Sequence, residues 1–298
     1  FDVNFRLPGI LIRQMSEAPQ TTPPQTVSRK ATLMVSILSL LIVLMIGLFW
    51  RQTWFGRQLT NVEISEYLND EDKPRRTQHA LAQISDRLSR GDHTVARWYP
   101  AVIALAEHSL PQLRVNVAWL MGQDSTELLF HEKLREMLTD KDPLVRRNAA
   151  LSLIRFGDNA GHDELLSMLR YHTVHSPHQG VLVNRLVEGD AVDVGTLLAR
   201  VESETAQEPL EIRSLVPGIV QKRILENGFV ISVGTPVMLL DPDESHIFEA
   251  LRGLYLIGTE EDLEIVRQFF RPREGMSSSI AKQAQLTAAA IRERTEPD

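Results

Sequence analysis

The sequence predicts an α+β multidomain chain: a single transmembrane helix, then an α-solenoid into which a β barrel-sandwich module is inserted. Three observations carry this. Residues 31–50 contain no charge, residues 75–171 repeat apolar positions at helical spacing, and residues 173–241 read as one strand-period sequence written twice.

Residues 1–30 form an N-terminal segment ending in a Pro-rich linker around Pro19, Pro23 and Pro24, a composition that reads as extended and flexible. The chain opens on Phe rather than Met, as expected of a processed or incomplete sequence. From Ala31 through Leu40 to Trp50 the residues are apolar or hydroxyl-bearing. At 1.5 Å per residue they would span about 30 Å, the thickness of a bilayer's hydrocarbon layer. Trp50 and Trp54, with Arg51, stand where interfacial anchors belong. Residues 51–55 offer no small-x-small cleavage site, so the segment reads as a retained anchor. Arg13, Arg29 and Lys30 before it, against Arg51 and Arg57 after it, favour a cytoplasmic N-terminus and an exported C-terminal body.

From 58 to 171 the period is helical. Amphipathic runs are expected at 75–90, 95–107, 110–122, 125–139, 142–157 and 160–171. The runs 113–122 and 145–157 are related, each closing on Gly (Gly122, Gly157) before acidic or hydroxyl residues that can cap the next helix. Gly258-Thr259-Glu260 repeats that junction later in the chain. These repeats resemble HEAT-like helical repeats, in which stacked helix pairs bury faces that one pair cannot bury alone. Arg114, Arg146 and Arg147, together with Arg155, fall on equivalent helices. The resemblance implies a ladder binding acidic or carbonyl groups of the next repeat, with an anion site as the competing reading. It also implies that the concave side of the stack is the docking surface.

The duplicated segment places Gly180, Gly189 and Gly195 in its first copy and Gly218, Gly228 and Gly234 in its second, 38 or 39 residues later. They read as barrel turns, where short strands reverse sharply with another backbone close by. The pattern resembles the biotinyl/lipoyl module, a flattened barrel of two interlocking four-strand halves, and its relative in bacterial membrane fusion proteins, the periplasmic adaptors of export systems. Carrier versions bear an acceptor lysine at the hairpin tip between the halves. Here the joining segment, residues 202–212, has no lysine, and Lys222 falls inside a strand. No biotin, lipoate or other cofactor is therefore expected. Typical adaptors place a long helical hairpin between the halves, whereas this link is short and polar. The module is expected at 172–243, with helical repeats resuming at 244–294 and a closing helix at 277–294. A barrel standing between two unrelated helical pieces is the alternative.

With 39 acidic against 32 basic residues the net charge is −7, which argues against a nucleic-acid partner. Cysteine is absent, which excludes disulfides and thiolate chemistry. His172, His175 and His178, with His162 and Asp163 a helix away, could supply imidazole ligands. Strand spacing sets His172 and His175 on opposite faces, so no metal site is expected. Nor does any nucleophile elbow or phosphate-binding loop appear.

Together these features point to a non-catalytic adaptor or scaffold subunit of a bacterial envelope complex. It would be single-pass in the inner membrane with a periplasmic body, and most like the adaptor of an export system. Its expected partners are the lipid bilayer, other membrane or periplasmic proteins, and further copies of itself joined through the barrel. The alternative is a structural accessory subunit of a membrane energy or motility complex without a transport role.

Overall fold

The structure, a computed structural model, describes residues 29–52, 57–70, 72–203, 206–271 and 276–295. The chain divides into two compact units, Phe1–Arg57 and Gln58–Asp298. In the first, α1 (Arg29–Gln52) is a 24-residue helix. Its described side chains, 33–45, are all exposed, including Leu40. Among the described residues no helix is long and apolar enough to cross a membrane. The expected span runs past both ends of those side chains: Ala31 and Trp50 belong to the helix backbone, and Trp54 lies outside the described residues. The spanning role therefore rests on the sequence.

The second unit mixes helical repeats with a curled sheet. It opens with α2 (Asn61–Leu68), started by a reciprocal capping box between Thr60 and Glu63. Then come α3 (Pro74–Ser89), α4 (Tyr99–Ala104), α5 (Pro111–Met121), α6 (Leu128–Met137), α7 (Pro143–Arg155) and α8 (His162–Met168). Pro74, Pro111 and Pro143 each sit in the first helical turn, where the missing N–H costs nothing. The single run expected over 95–107 is instead two 3₁₀ turns flanking α4. Pro100 accounts for the break, because its ring cannot sit inside a continuous helix.

Beyond residue 243 come α9 (Glu244–Ile257), α10 (Leu263–Arg267) and α11 (Ser278–Thr295). Helices α5, α7, α9 and α11 pack successively, while α6 and α8 contact the helices on either side of them in sequence and α10 packs on α11. One apolar core links residues before and after the intervening strands: Ile154, Leu165 and Met168 pack with Ile247, Leu251, Leu254 and Ile291. The strand module is thus an insertion between α8 and α9, which themselves pack together. No Cβ fits on Gly253 of α9 without coming 2.8 Å from Ile154 and Leu165, so glycine lets α9 approach closely.

The insertion contains β1 (His172–His175), β2 (Gly180–Asn184), β3 (Ala191–Val192), β4 (Leu197–Glu202), β5 (Leu210–Arg213), β6 (Gly218–Arg223), β7 (Val230–Ile231) and β8 (Pro236–Pro242). They form two four-stranded antiparallel sheets, β1-β8-β6-β3 and β5-β4-β2-β7. Exchanging each strand for the one four places along turns the first order into the second, so the duplication in sequence is a pseudo-two-fold in space. The core repeats it: Val174, Leu182, Val192, Leu198, Ala199 and Val201 pair with Ile212, Val220, Ile231, Val237, Met238 and Leu240. So do the hydrogen bonds. Buried Ser176 and Ser214 each donate to the carbonyl two residues on, while Thr196 and Thr235 each accept from the N–H three residues back.

Gly189, Gly195, Gly228 and Gly234 adopt positive φ in equivalent turns. Gly180 and Gly218 differ from the expectation. They are not turn residues but the first residues of β2 and β6, and a Cβ on them would strike the carbonyl oxygens of Glu202 and Asp241 respectively. Close approach of a neighbouring strand excludes a side chain at both.

Candidate docking groove

Across the outer faces of the successive helices runs a groove of about 540 Å³. Helix α5 contributes Trp119, α7 contributes Leu151 and Arg155, α9 contributes Glu249, Arg252, Tyr255 and Leu256, and α11 contributes Gln283 and Leu286. On α9 the lining positions 249, 252, 253 and 256 alternate with the core positions Ala250, Leu251 and Leu254, as a two-sided helix requires. Large apolar groups remain in solvent here: Trp119, Tyr255, Leu256 and Leu286 are each 43–59% exposed.

The charges in the groove are arranged differently from those beside it. Arg155 donates to the Gly122 carbonyl at 3.3 Å. Among the described residues, neither Arg155 nor Arg252 forms an ion pair with a carboxylate. Glu249 is the one carboxylate of the lining. Desolvation raises its pKa, against the pull of Arg252 one helical turn on, so this single carboxylate faces two arginines.

Of the expected ladder arginines, Arg114, Arg146 and Arg147 are not in the lining of this groove. Arg114 donates to Asp140 at 2.7 and 2.8 Å and to the His108 carbonyl at 2.8 Å. Arg146, the corresponding residue one repeat on, donates to Glu164 at 3.0 Å and to the Asp140 carbonyl at 2.8 Å. Arg155, grouped with them by sequence, bonds no acid and lines the groove instead, because it closes α7 rather than opening it.

Arg147 meets the insertion. It is buried, lies 3.7 Å from Glu164 and stands 3.3 Å from His246 Nδ1. A guanidinium can only donate, so Nδ1 must accept and the imidazole must be neutral. Burial, and then the charge of Arg147, depress the His246 pKa to about 4. Burial and Arg147 likewise lower that of His172 on β1. Among the described residues no three potential metal ligands converge. Lys222 lies on β6 opposite Leu239, within the strand and not at a hairpin tip.

A family model of HEAT repeats matches residues 99–175, which run from α4 to the end of β1. That segment carries HEAT-like repeats. No curated protein matches the chain. Among solved structures, the product-bound ectoine utilization protein EutE (DoeB) from Ruegeria pomeroyi is 30% identical over 24% of this chain and 22% of that one, at a TM-score of 0.22. The matched region is thus less than a quarter of that protein's length.

Of the residues the sequence singles out, Arg155 alone lines the groove. The groove is assembled from positions between 119 and 286, which the helical stack brings together across the insertion. A sequence signal existed in Trp119, Tyr255 and Leu256, which stand beside core positions on their helices. Periodicity alone does not say which apolar stripe is covered.

Proposed function

We propose that the protein is a non-catalytic, membrane-anchored scaffold or adaptor of a bacterial envelope complex. One observation carries the recognition role: a groove over four successive helices that keeps Trp119, Tyr255, Leu256 and Leu286 in solvent. Aromatic residues and arginines of this kind dominate the energetics of protein interfaces. The anchor is supported by the uncharged stretch 31–50, and by the exposure of every described side chain of α1. A helix whose apolar side chains are all exposed in isolation is suited to lipid contact.

The inserted module supports kinship with the biotinyl/lipoyl-type barrels of periplasmic adaptors, through its pseudo-two-fold strand order and its lysine-free link. Phe229, Val230 and Val233, in and beside β7, are 53–81% exposed, a surface suited to pairing with further copies. Against the export reading stands the second one, an accessory subunit of a membrane energy or motility complex. The HEAT-like repeats on either side of the module favour it, because they supply a docking face that a ring-forming barrel does not need.

Gentle solubilisation of native membranes, affinity extraction through a C-terminal tag and native mass measurement test these readings. Several copies of the chain recovered with a transporter support the adaptor. One or two copies within a larger complex support the accessory subunit. A chain that comes out alone, or in the soluble fraction, overturns both.

A further inference from the structure

We infer that the groove across α5, α7, α9 and α11 receives an acidic, leucine-rich segment of a partner protein. The inference rests on the scaffold reading and gives the partner its chemistry. Charge is the first argument. The chain carries net charge −7, and Arg114, Arg146, Arg135 and Arg76 are all matched to carboxylates. Arg155 and Arg252 both line the groove, are exposed, and among the described residues form no ion pair with a carboxylate. On a protein this acidic, two guanidinium groups set against the single Glu249 carboxylate leave the groove with a local positive excess. Such a site selects an anion by complementarity.

Shape is the second argument. Adjacent helix axes lie roughly 8–10 Å apart, so lining drawn from four helices extends over roughly 25–30 Å. That length suits about eight extended residues or about five helical turns. A small ligand would fill only part of it. In the same lining as the arginines, Leu151, Leu256 and Leu286 offer apolar contact, and Trp119 and Tyr255 offer rigid faces. A segment with leucine-type side chains at helical spacing and Asp or Glu on its flanks satisfies both sets of groups at once.

Selection of random twelve-residue peptides displayed on phage, against the full chain held in lipid nanodiscs, tests the inference. The same selection is run on Arg155→Glu/Arg252→Glu and on Trp119→Ala. All three substituted side chains are exposed, and circular dichroism melting verifies that each variant folds. The expected pool is rich in Asp or Glu together with Leu, Ile or Phe. Synthetic members should bind at least tenfold more weakly to the charge-reversed variant and to Trp119→Ala. A pool without acidic excess overturns the inference, as does binding indifferent to both variants. So does a small amphiphile found seated in the groove by native mass spectrometry and competing with the peptides. Failure here is separable from failure of the scaffold reading. Stoichiometric partners that still co-purify with the charge-reversed chain defeat only the groove assignment, whereas a chain extracted without partners defeats the scaffold.

Discussion

Arg114 stands with its side chain 6% exposed, bonded through two nitrogens to Asp140 and through a third to the His108 carbonyl. Removing one member of such a pair strands the other in a desolvated place, so Arg114→Ala should destabilise the helical unit by about 3–5 kcal/mol. Arg135, 57% exposed and sharing Asp158 with His131, is the control. Arg135→Ala should cost less than about 1 kcal/mol. Urea unfolding monitored by circular dichroism distinguishes the two, and equal effects would refute the ladder as a stabilising device. His246 governs a pH response. Its folded pKa of about 4 lies below the ordinary 6.5, so between those values the unfolded chain binds a proton that the folded chain refuses. Stability is fully present above pH 6.5 and declines as pH falls towards 4. His172, lowered by the same burial and the same arginine, adds in the same direction. Melting temperature should therefore drop between pH 7 and pH 5, and drop less in His246→Gln, whose amide oxygen can still accept from Arg147. An unchanged slope in that variant would place the acid sensitivity elsewhere.

At the scale of elements, the duplicated module contains its own control experiment. Many positions in one half have a partner in the other held by equivalent hydrogen bonds, so a residue that differs between halves without losing them is not dictated by the fold. Asp190 and Ala191 in the first half correspond to Phe229 and Val230 in the second, and these two are 53% and 81% exposed. Phe229→Asp with Val230→Ala should leave stability within about 0.5 kcal/mol, as expected for surface changes away from special backbone positions. Gly180→Ala should behave oppositely. Its φ of 145° and the Glu202 carbonyl leave no place for a methyl group, and thermal unfolding of the module should shift down or vanish. The contrast explains what was legible in advance. Period-two strands and glycines recurring at a fixed interval are local requirements of backbone geometry, so the module's extent and duplication show in the sequence. Helices α3, α5, α7 and α11 also fall within two residues of the expected runs, because Pro or amphipathic period marks their starts. Helix α2 has no counterpart among the expected runs although Thr60 and Glu63 spell its capping box, since eight residues give too short a period to recognise. The groove was illegible for another reason. Leu151, Leu256 and Leu286 satisfy the same helical periodicity as buried leucines, and only the packing of distant helices decides which stripe stays uncovered.

Across the whole second unit, the insertion and the stack have separate interiors and a single doorway. The strands bury Leu182, Val220, Met238 and their neighbours among themselves, with Leu144 of α7 packed against them from the helices. The helices join residues on either side of the strands into one core, in which Ile154 and Leu165 meet Leu251 and Leu254. The doorway is narrow because β1 pairs antiparallel with β8, setting His172 opposite Leu240. Paired residues in such a ladder lie about 5 Å apart, so a few residues can bridge the gap that the module fills. Replacing 172–242 by a short Gly/Ser linker should therefore preserve the helical stack, because loop closure over so small a gap costs little. The far-ultraviolet spectrum should keep its helical signature and the unfolding should stay cooperative. Peptides selected on the full chain should bind the shortened one within about threefold, since every groove residue lies outside the deleted segment. The acid-dependent loss of stability should shrink, because His172 goes with the module and His246 gains water. A shortened chain that loses its helical signal would mean that Arg147 and Leu144, the contacts from α7 into the strands, hold the stack in register. The module would then be a structural keystone and not a guest.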